Sequence, residues 1–455
     1  MATKILFFSL VLLLCSSFGL KPGSTEQIQG KDSVIRIIQL DPTHSHAAAA
    51  QSDQLDRIDT NVYVYAPSKE DVTPYFLQIN AFNTRKINPT RWHEISYFGK
   101  DYLPKMVAEK KGNVVVLAGN NRIKIDYIEQ SVNAGMNVFA DKPMVINQSG
   151  FQRLEKAYQL AQDKGLSMFD MMTERYSLIN RVQRSLMQDT LLFGTLLPGT
   201  ADYPSVMESS VHHFYRGGKG TRPAWYFDVL QQGEGIADVT THLIDLTFWK
   251  SFPDQIIDYQ KDIKILSARR EPVNVTRAEF SAATSLPAIT SSLNRYVKDS
   301  ALVVFANGSI TYLLKGIYTR VKVEWRPATP PDGNDLRSAY ADGTRGKLLI
   351  QQKYGQKQPT LCIQKAGKIS ELDFRNQLEK SVSRLQREYP GISCVQKSNM
   401  FQIVIPSELE NSHDPTFNVF VGYLIHKDMP KWEVPNTLAK YYITTTALEL
   451  AKVEK

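Results

Sequence analysis

The sequence predicts an α/β N-terminal part built on a doubly wound parallel sheet. An α+β part with an open-faced, mostly antiparallel sheet follows it. Three observations lead there. Up to about residue 175, short apolar runs alternate with amphipathic helical stretches, the order that makes a parallel sheet with helices on its faces. One of those runs, residues 113–118, is apolar almost throughout, as a strand covered on both faces must be. From about residue 190 the strand-like segments lengthen and alternate in polarity, the pattern of a sheet with one solvated face.

Residues 34–40 form the first strand, and the alanine-rich stretch from Ala47 starts a helix. Residues 61–66 and 95–98 are the second and third strands, and 113–118 the fourth. A helix spans 123–134 and stops at Gly135, before a fifth strand at 137–140. Phe151, Leu154, Tyr158 and Ala161 recur at helical spacing. They predict a helix over 151–163, closed by Gly165, and a sixth strand at 166–172. In the second part, residues 211–215, 301–305, 310–314, 321–325, 347–352, 401–405 and 418–425 read as strands. Residues 372–387 read as a charged amphipathic helix and 327–334 as a Pro/Gly-rich loop.

A chain of 455 residues is long for one domain and suits two. Lys/Arg and Asp/Glu are interleaved around a net charge of +8. No basic run is long enough for a nucleic-acid groove, so no nucleic-acid partner is expected. Lys4 followed by an apolar run over 5–14, too short to span a bilayer, reads as a secretory signal. Small residues follow at Ser16, Ser17 and Gly19, and Cys15 stands where a lipidated cysteine would. Simple cleavage and a lipid anchor at Cys15 both stay open. Either way the expected location is exported, periplasmic or membrane-anchored. The expected organisation is a signal peptide at 1–19, a tether at 20–32, the doubly wound domain at 33–175 and the C-terminal domain at 190–455. For Cys362 and Cys394, a disulfide and two buried thiols are both open.

Two motifs carry the chemistry. Phe139-Ala140-Asp141-Lys142-Pro143 places a lysine at the end of the fifth strand. Gly233-Glu234-Gly235 opens a helical stretch in which Asp238, Thr241, His242 and Asp245 fall at i, i+3, i+4 and i+7, hence on one face. The bland alternative is a solvated face. His242 suits a general base, Lys142 an alkoxide stabiliser, and Asp238 a proton relay or substrate anchor. A Gly-x-Gly-x-x-Gly turn, by contrast, is missing after the first strand, where Asp41-Pro42-Thr43-His44-Ser45-His46 stands instead. Thr43 is β-branched, so a wider turn is expected there. His44 and His46, two apart at a helix start, would not share a face. No metal site is expected at them, and contact with cofactor or substrate is.

The stretch Ala118-Gly119-Asn120-Asn121, the Asp141-Lys142-Pro143 motif, and Trp225 followed by the glycine turn and Asp-x-x-x-His together resemble the glucose-fructose oxidoreductase/inositol dehydrogenase/MocA family. Landmarks cover residues 33–250, and the chain looks most like exported, Bacteroidota-type members with an enlarged C-terminal domain. The resemblance implies a Rossmann-like first domain and NAD or NADP, and the signal peptide implies that this cofactor is bound tightly. Asp41, Thr43, His44, His46, Asn120, Asn121, Asp141 and Lys142 would lie against that cofactor. It implies hydride transfer from a hydroxyl of a sugar, glycoside or polyol, with Lys142, Asp238 and His242 catalytic. Arg175, His212, His213, Tyr215, Trp225 and Thr241 are the substrate-side candidates. Redox-neutral glycoside cleavage and non-catalytic carbohydrate binding are the alternatives. The second strand ends without an acidic residue, and Ser68 and Lys69 follow it, so NADP is permitted as well as NAD. A homo-oligomer through the C-terminal sheet is expected.

Overall fold

The computed structural model describes residues 34–217, 220–327, 335–409 and 415–453. The predicted signal, tether and Cys15 lie outside them, as does all but the first residue of the 327–334 loop. Strands β1 (Ile37–Leu40), β2 (Asn61–Ala66), β3 (His93–Phe98), β4 (Val114–Leu117), β5 (Asn137–Asp141) and β6 (Met168–Met171) form one parallel sheet in the order β3-β2-β1-β4-β5-β6. Every residue of β1 and β4 is buried, as the apolar runs require. The strand order reverses between β1 and β4, and a sheet of this kind opens a ligand crevice beyond the strand ends at that reversal.

The chain after β1 departs from expectation. The helix holds only His46–Ala49. Gln39 Nε2 takes the Ala47 carbonyl at 2.9 Å, the acceptor that the next helical turn would use. Gln51 and Ser52 then bond one residue short, to Ala48 and Ala49. The turn before this helix is tight rather than wide. Asp41, not Thr43, carries the positive φ of 51°, and Thr43 N bonds back to Asp41 O at 2.8 Å. The small residue that permits this sits across the crevice. A Cβ on Gly119 would lie 2.6 Å from Thr43 Oγ1 and 2.8 Å from Asp41 O.

The second sheet comprises β7 (Val206–His213), β8 (Ile263–Thr276), β9 (Val297–Lys298), β10 (Ala301–Leu314), β11 (Ile317–Arg326), β12 (Leu336–Asp342), β13 (Gly346–Gln351), β14 (Thr360–Lys365), β15 (Ser393–Lys397) and β16 (Met400–Val404). Its order is β15-β16-β14-β13-β12-β7-β11-β10-β8, with β9 on β10, and β7 runs parallel to β11. The helix Glu371–Glu388 lays Phe374, Leu378 and Leu385 on the β12–β16 end. Cys362 pairs with Gln402, whereas Cys394 pairs with Ile403, on the other face of the intervening β16. Both thiols are free, and the disulfide alternative falls away.

The segment expected as a strand at 418–425 is the helix Thr416–His426. Phe417, Phe420 and Val421 recur at helical spacing and pack on Phe139 of β5 and Phe169 of β6. The last helix, Glu433–Val453, also returns to the first sheet. Its Tyr441 hydroxyl donates to Asp170 Oδ2 and accepts from Met144 N, both at 2.8 Å. No helix among the described residues is long and apolar enough to cross a membrane.

Candidate active site

The glycine turn sets the position of Asp238. Gly233 adopts a φ of 93°. Gly235 packs so closely on β10 that a Cβ would meet Ala306 O at 1.6 Å. Asp238 belongs to this turn, because the helix itself is Thr240–Ser251. The four polar residues expected on one face are therefore divided. Asp238 Oδ1 accepts from Lys142 Nζ at 2.8 Å and its Oδ2 from Gln232 Nε2 at 2.9 Å. Thr241, expected on the substrate side, is fully buried and donates to Asp238 O at 2.6 Å. Asp245 turns the other way, to Arg175 and Lys440.

His242 stands beside the Lys142–Asp238 pair. Its Nδ1 is buried and has no hydrogen-bond partner among the described residues. Burial, and next the positive charge of Lys142, hold the imidazole well below its ordinary pKa of 6.5. A histidine kept neutral in this way is in the proton-accepting form. The ring opens onto a largely apolar cleft, lined by Ile179, Val239, Leu243, Leu246 and Ile350, with Glu174, Asn180, Ser210, His212 and Arg337 among its polar members.

Lys142 follows β5, joined to Pro143 by a cis peptide. The preceding Asp141 is buried, with Lys124 Nζ on its Oδ1. Burial raises the Asp141 pKa, but the charge of Lys124 and the neighbouring histidines outweigh it and keep the group ionised. His44 Nδ1 and His46 Nδ1 lie 3.3 Å and 3.5 Å from Asp141 Oδ2. Burial, and next His46, push the His44 pKa well down. Asp41 goes the other way: burial lifts its pKa to about 6 against the opposing hydrogen bond from Tyr127.

The remaining predicted residues divide into those near the cleft and those spent on structure. Asn120 caps the helix Asn121–Asn133 and donates to Gln231 Oε1 at 2.8 Å. Asn121 is buried, giving its amide to Gln232 O and its oxygen to Lys124. Arg175 is a correction to the substrate-side list. It is 4% exposed, and its guanidinium is taken up by Asp245 and Glu433. His212 lines the cleft and bonds Ser210 Oγ at 2.8 Å and Asp335 Oδ2 at 2.9 Å. His213 points to the other side of β7, buried against Asp335 and Tyr354. Tyr215 is exposed beyond the strand. Trp225 packs on Tyr226 in the short helix Ala224–Phe227.

Four contributing residues were not singled out from sequence. Gln232 precedes Gly233 and holds Asp238 in place, so its nearness to the motif was the available signal. Glu174 and Arg337 form an ion pair in the cleft wall, 163 residues apart, and no local pattern marks them. Lys124 is one turn along the helix from Asn121, and its charge partner lies 17 residues on.

A doubly wound parallel sheet joined to a mostly antiparallel one is the architecture of glucose-fructose oxidoreductase/inositol dehydrogenase/MocA-type oxidoreductases. Residues 182–452 match the family model described as "Putative oxidoreductase C terminal domain", and the chain belongs to that family. It is 40% identical to a "putative oxidoreductase" of Parabacteroides merdae, with a TM-score of 0.89 over 93% of this chain and 98% of that one. The fold is shared at lower identity. A 3-ketoreductase from Actinomadura kijaniata, solved with NADP, is 11% identical, with a TM-score of 0.57 over 92% of this chain and 98% of that one. Synechocystis biliverdin reductase, solved with biliverdin and NADP+, is also 11% identical at 0.57, over 92% and 100%. No curated protein matches the chain.

Proposed function

We propose that this protein transfers a hydride between a hydroxyl-bearing carbon of a sugar, glycoside or polyol, which becomes a carbonyl, and NAD or NADP. The observation that carries this reading is the Lys142–Asp238 pair beside a neutral His242, whose ring lines a cleft. The residues of the crevice fit a dinucleotide. Thr43 Oγ1 is a buried polar atom without a hydrogen-bond partner among the described residues, at the switch point of the sheet. Gly119 lets the loops after β1 and β4 close on each other there. Thr43 would face the phosphates and Lys142 the nicotinamide ribose. When bound, the nicotinamide supplies the hydride acceptor or donor.

The chain's own residues do the rest. A substrate hydroxyl placed between Lys142 Nζ and the His242 ring loses its proton to the neutral imidazole. The ammonium of Lys142 stabilises the oxygen as negative charge develops on it. Asp238, braced by Gln232, keeps that ammonium in position. In a cleft wall that is largely apolar, Asn180, Ser210 and His212 supply donors and acceptors for further hydroxyls. Export, with or without a lipid at Cys15, and association through the second sheet belong to the same proposal. They rest on residues 1–19 and on the strand pattern.

The test is binding and turnover together. Purified protein is titrated with NAD(H) and NADP(H) by fluorescence, then screened with sugars, glycosides and polyols for a change at the nicotinamide absorbance. Saturable dinucleotide binding and turnover on one substrate class are expected. Absence of any dinucleotide binding would remove the redox assignment and leave carbohydrate binding alone.

A further inference from the structure

We propose that His44, His46 and Asp141 bind a single divalent transition-metal ion at the carboxyl edge of the first sheet. This goes beyond the hydride-transfer reading and does not depend on it.

The geometry comes first. One candidate donor atom from each of the three side chains falls within a 4.8 Å cluster. Asp141 Oδ2 is 3.3 Å from His44 Nδ1 and 3.5 Å from His46 Nδ1. Donors bound to one tetrahedral ion at about 2.1 Å stand about 3.4 Å from each other. The two separations are long for hydrogen bonds and match those across an ion. His46 Nδ1 is buried without a hydrogen-bond partner among the described residues, and His44 Nδ1 accepts only a long bond, 3.3 Å, from His46 N.

The spacing objection from sequence does not apply, for a structural reason. Two histidines at i and i+2 diverge on a helix, but the helix begins at His46. His44 lies in the turn that Asp41 initiates, and its ring meets that of His46 edge-on at 4.4 Å.

The surroundings are those of a ligand set with an outer support. Lys124 Nζ holds Asp141 Oδ1, and is itself fixed by Asn121 Oδ1 at 2.8 Å, Asp141 O at 3.0 Å and Pro143 O at 3.1 Å. The carboxylate is thereby oriented with Oδ2 toward the imidazoles, the role an outer-shell partner plays in metal sites. Two imidazoles and one carboxylate favour Zn²⁺, Co²⁺, Ni²⁺, Fe²⁺ or Mn²⁺ over Ca²⁺ and Mg²⁺. Asp141 is buried while both histidines are partly exposed, so an ion would keep coordination positions open to the crevice, one residue from Lys142.

The experiment uses untagged full-length protein stripped with chelator and titrated with Co²⁺ and Zn²⁺. Calorimetry should give one ion per chain, and Co²⁺ should develop visible d–d absorption. His44→Ala and His46→Ala should each weaken binding by at least about tenfold with unchanged metal-free melting. His93→Ala, on an exposed strand end, should bind as the parent does. No saturable uptake up to millimolar metal, or uptake indifferent to both crevice substitutions, overturns the site. The same variants are titrated with NAD(H). Dinucleotide affinity lost in both, with no ion bound by the parent, would assign the histidines to phosphate and overturn the metal site. An ion bound without any dinucleotide affinity would leave the metal site standing and remove the redox reading.

Discussion

Lys142 Nζ lies 2.8 Å from Asp238 Oδ1, although 96 residues separate them. The pair joins the end of the fifth strand of one sheet to a glycine-built turn lying on the other. Its ammonium sits where its charge depresses the pKa of His242. Lys142→Ala and His242→Ala should each lower turnover by ~10²-fold or more, with circular dichroism and melting unchanged. Asp238→Asn should lower both turnover and substrate affinity, because it removes the charge that holds the ammonium and leaves one acceptor oxygen for the two donors Lys142 and Gln232. Rates close to the parent in all three variants, on a substrate shown to react, would exclude these groups from the chemistry.

The depressed pKa of His242 also has a sign in pH. The base form should persist below the ordinary imidazole value of 6.5, so the acid limb of turnover falls at lower pH than that. Stability responds in the same range. An imidazole whose folded pKa is lowered contributes stability that is complete above 6.5. It is lost as pH falls toward the depressed value, because only the unfolded chain takes up the proton. The limiting slope is about 1.4 kcal/mol per pH unit for one group. Lys142→Met removes a named cause and should move the acid limb toward higher pH. An acid limb that stays fixed would show that the lysine charge does not reach the imidazole.

Much of this arrangement was legible because it is local. Val114–Leu117 announces a doubly covered strand by composition, and Asp141-Lys142-Pro143 and Asp-x-x-x-His are contiguous. The failures were of two kinds. Residues 418–425 carry aromatic and β-branched side chains that read as a strand. Only the spacing of Phe417, Phe420 and Val421 against Phe139 and Phe169 makes them a helix. Arg175 looked like a sheet-end cation open to substrate, but its partners Asp245 and Glu433 lie 70 and 258 residues away. Long-range charge pairing leaves no mark in local sequence.

The glycine turn offers a steric test. Gly235→Ala drives a Cβ to 1.6 Å from a backbone carbonyl that cannot move aside cheaply. A loss of about 3 kcal/mol or more is expected, at or above the usual range for overpacking. The displaced turn should also weaken activity in whatever protein still folds. Gly135→Ala is the control: φ there is 83°, but nothing lies within 4 Å. Its cost should be conformational only, about 1–2 kcal/mol. Denaturant unfolding of both variants decides the matter. Equal losses would mean that the contact with Ala306 does not constrain the turn.

Lys440, on the last helix, is fully buried between Asp170 of the first sheet at 2.8 Å and Asp245 of the Thr240–Ser251 helix at 3.4 Å. Arg175 closes the same network through Asp245 and Glu433. Removing one partner of a buried ion pair leaves an uncompensated charge, so Lys440→Met should cost ~3–5 kcal/mol. Asp170→Asn added to it should recover part of that loss, since the double change removes both charges. Asp245 sharpens the test through pH. Burial raises its pKa, but Arg175 and then Lys440 outweigh that and hold it below 3.8. Its stabilisation is therefore present above 3.8 and lost as pH falls through the lower, folded value. Without Lys440 that folded value rises, so the variant should unfold at a higher pH than the parent in an acid titration. A stability loss below ~1 kcal/mol together with an unmoved acid transition would show that the last helix is held by its apolar face alone.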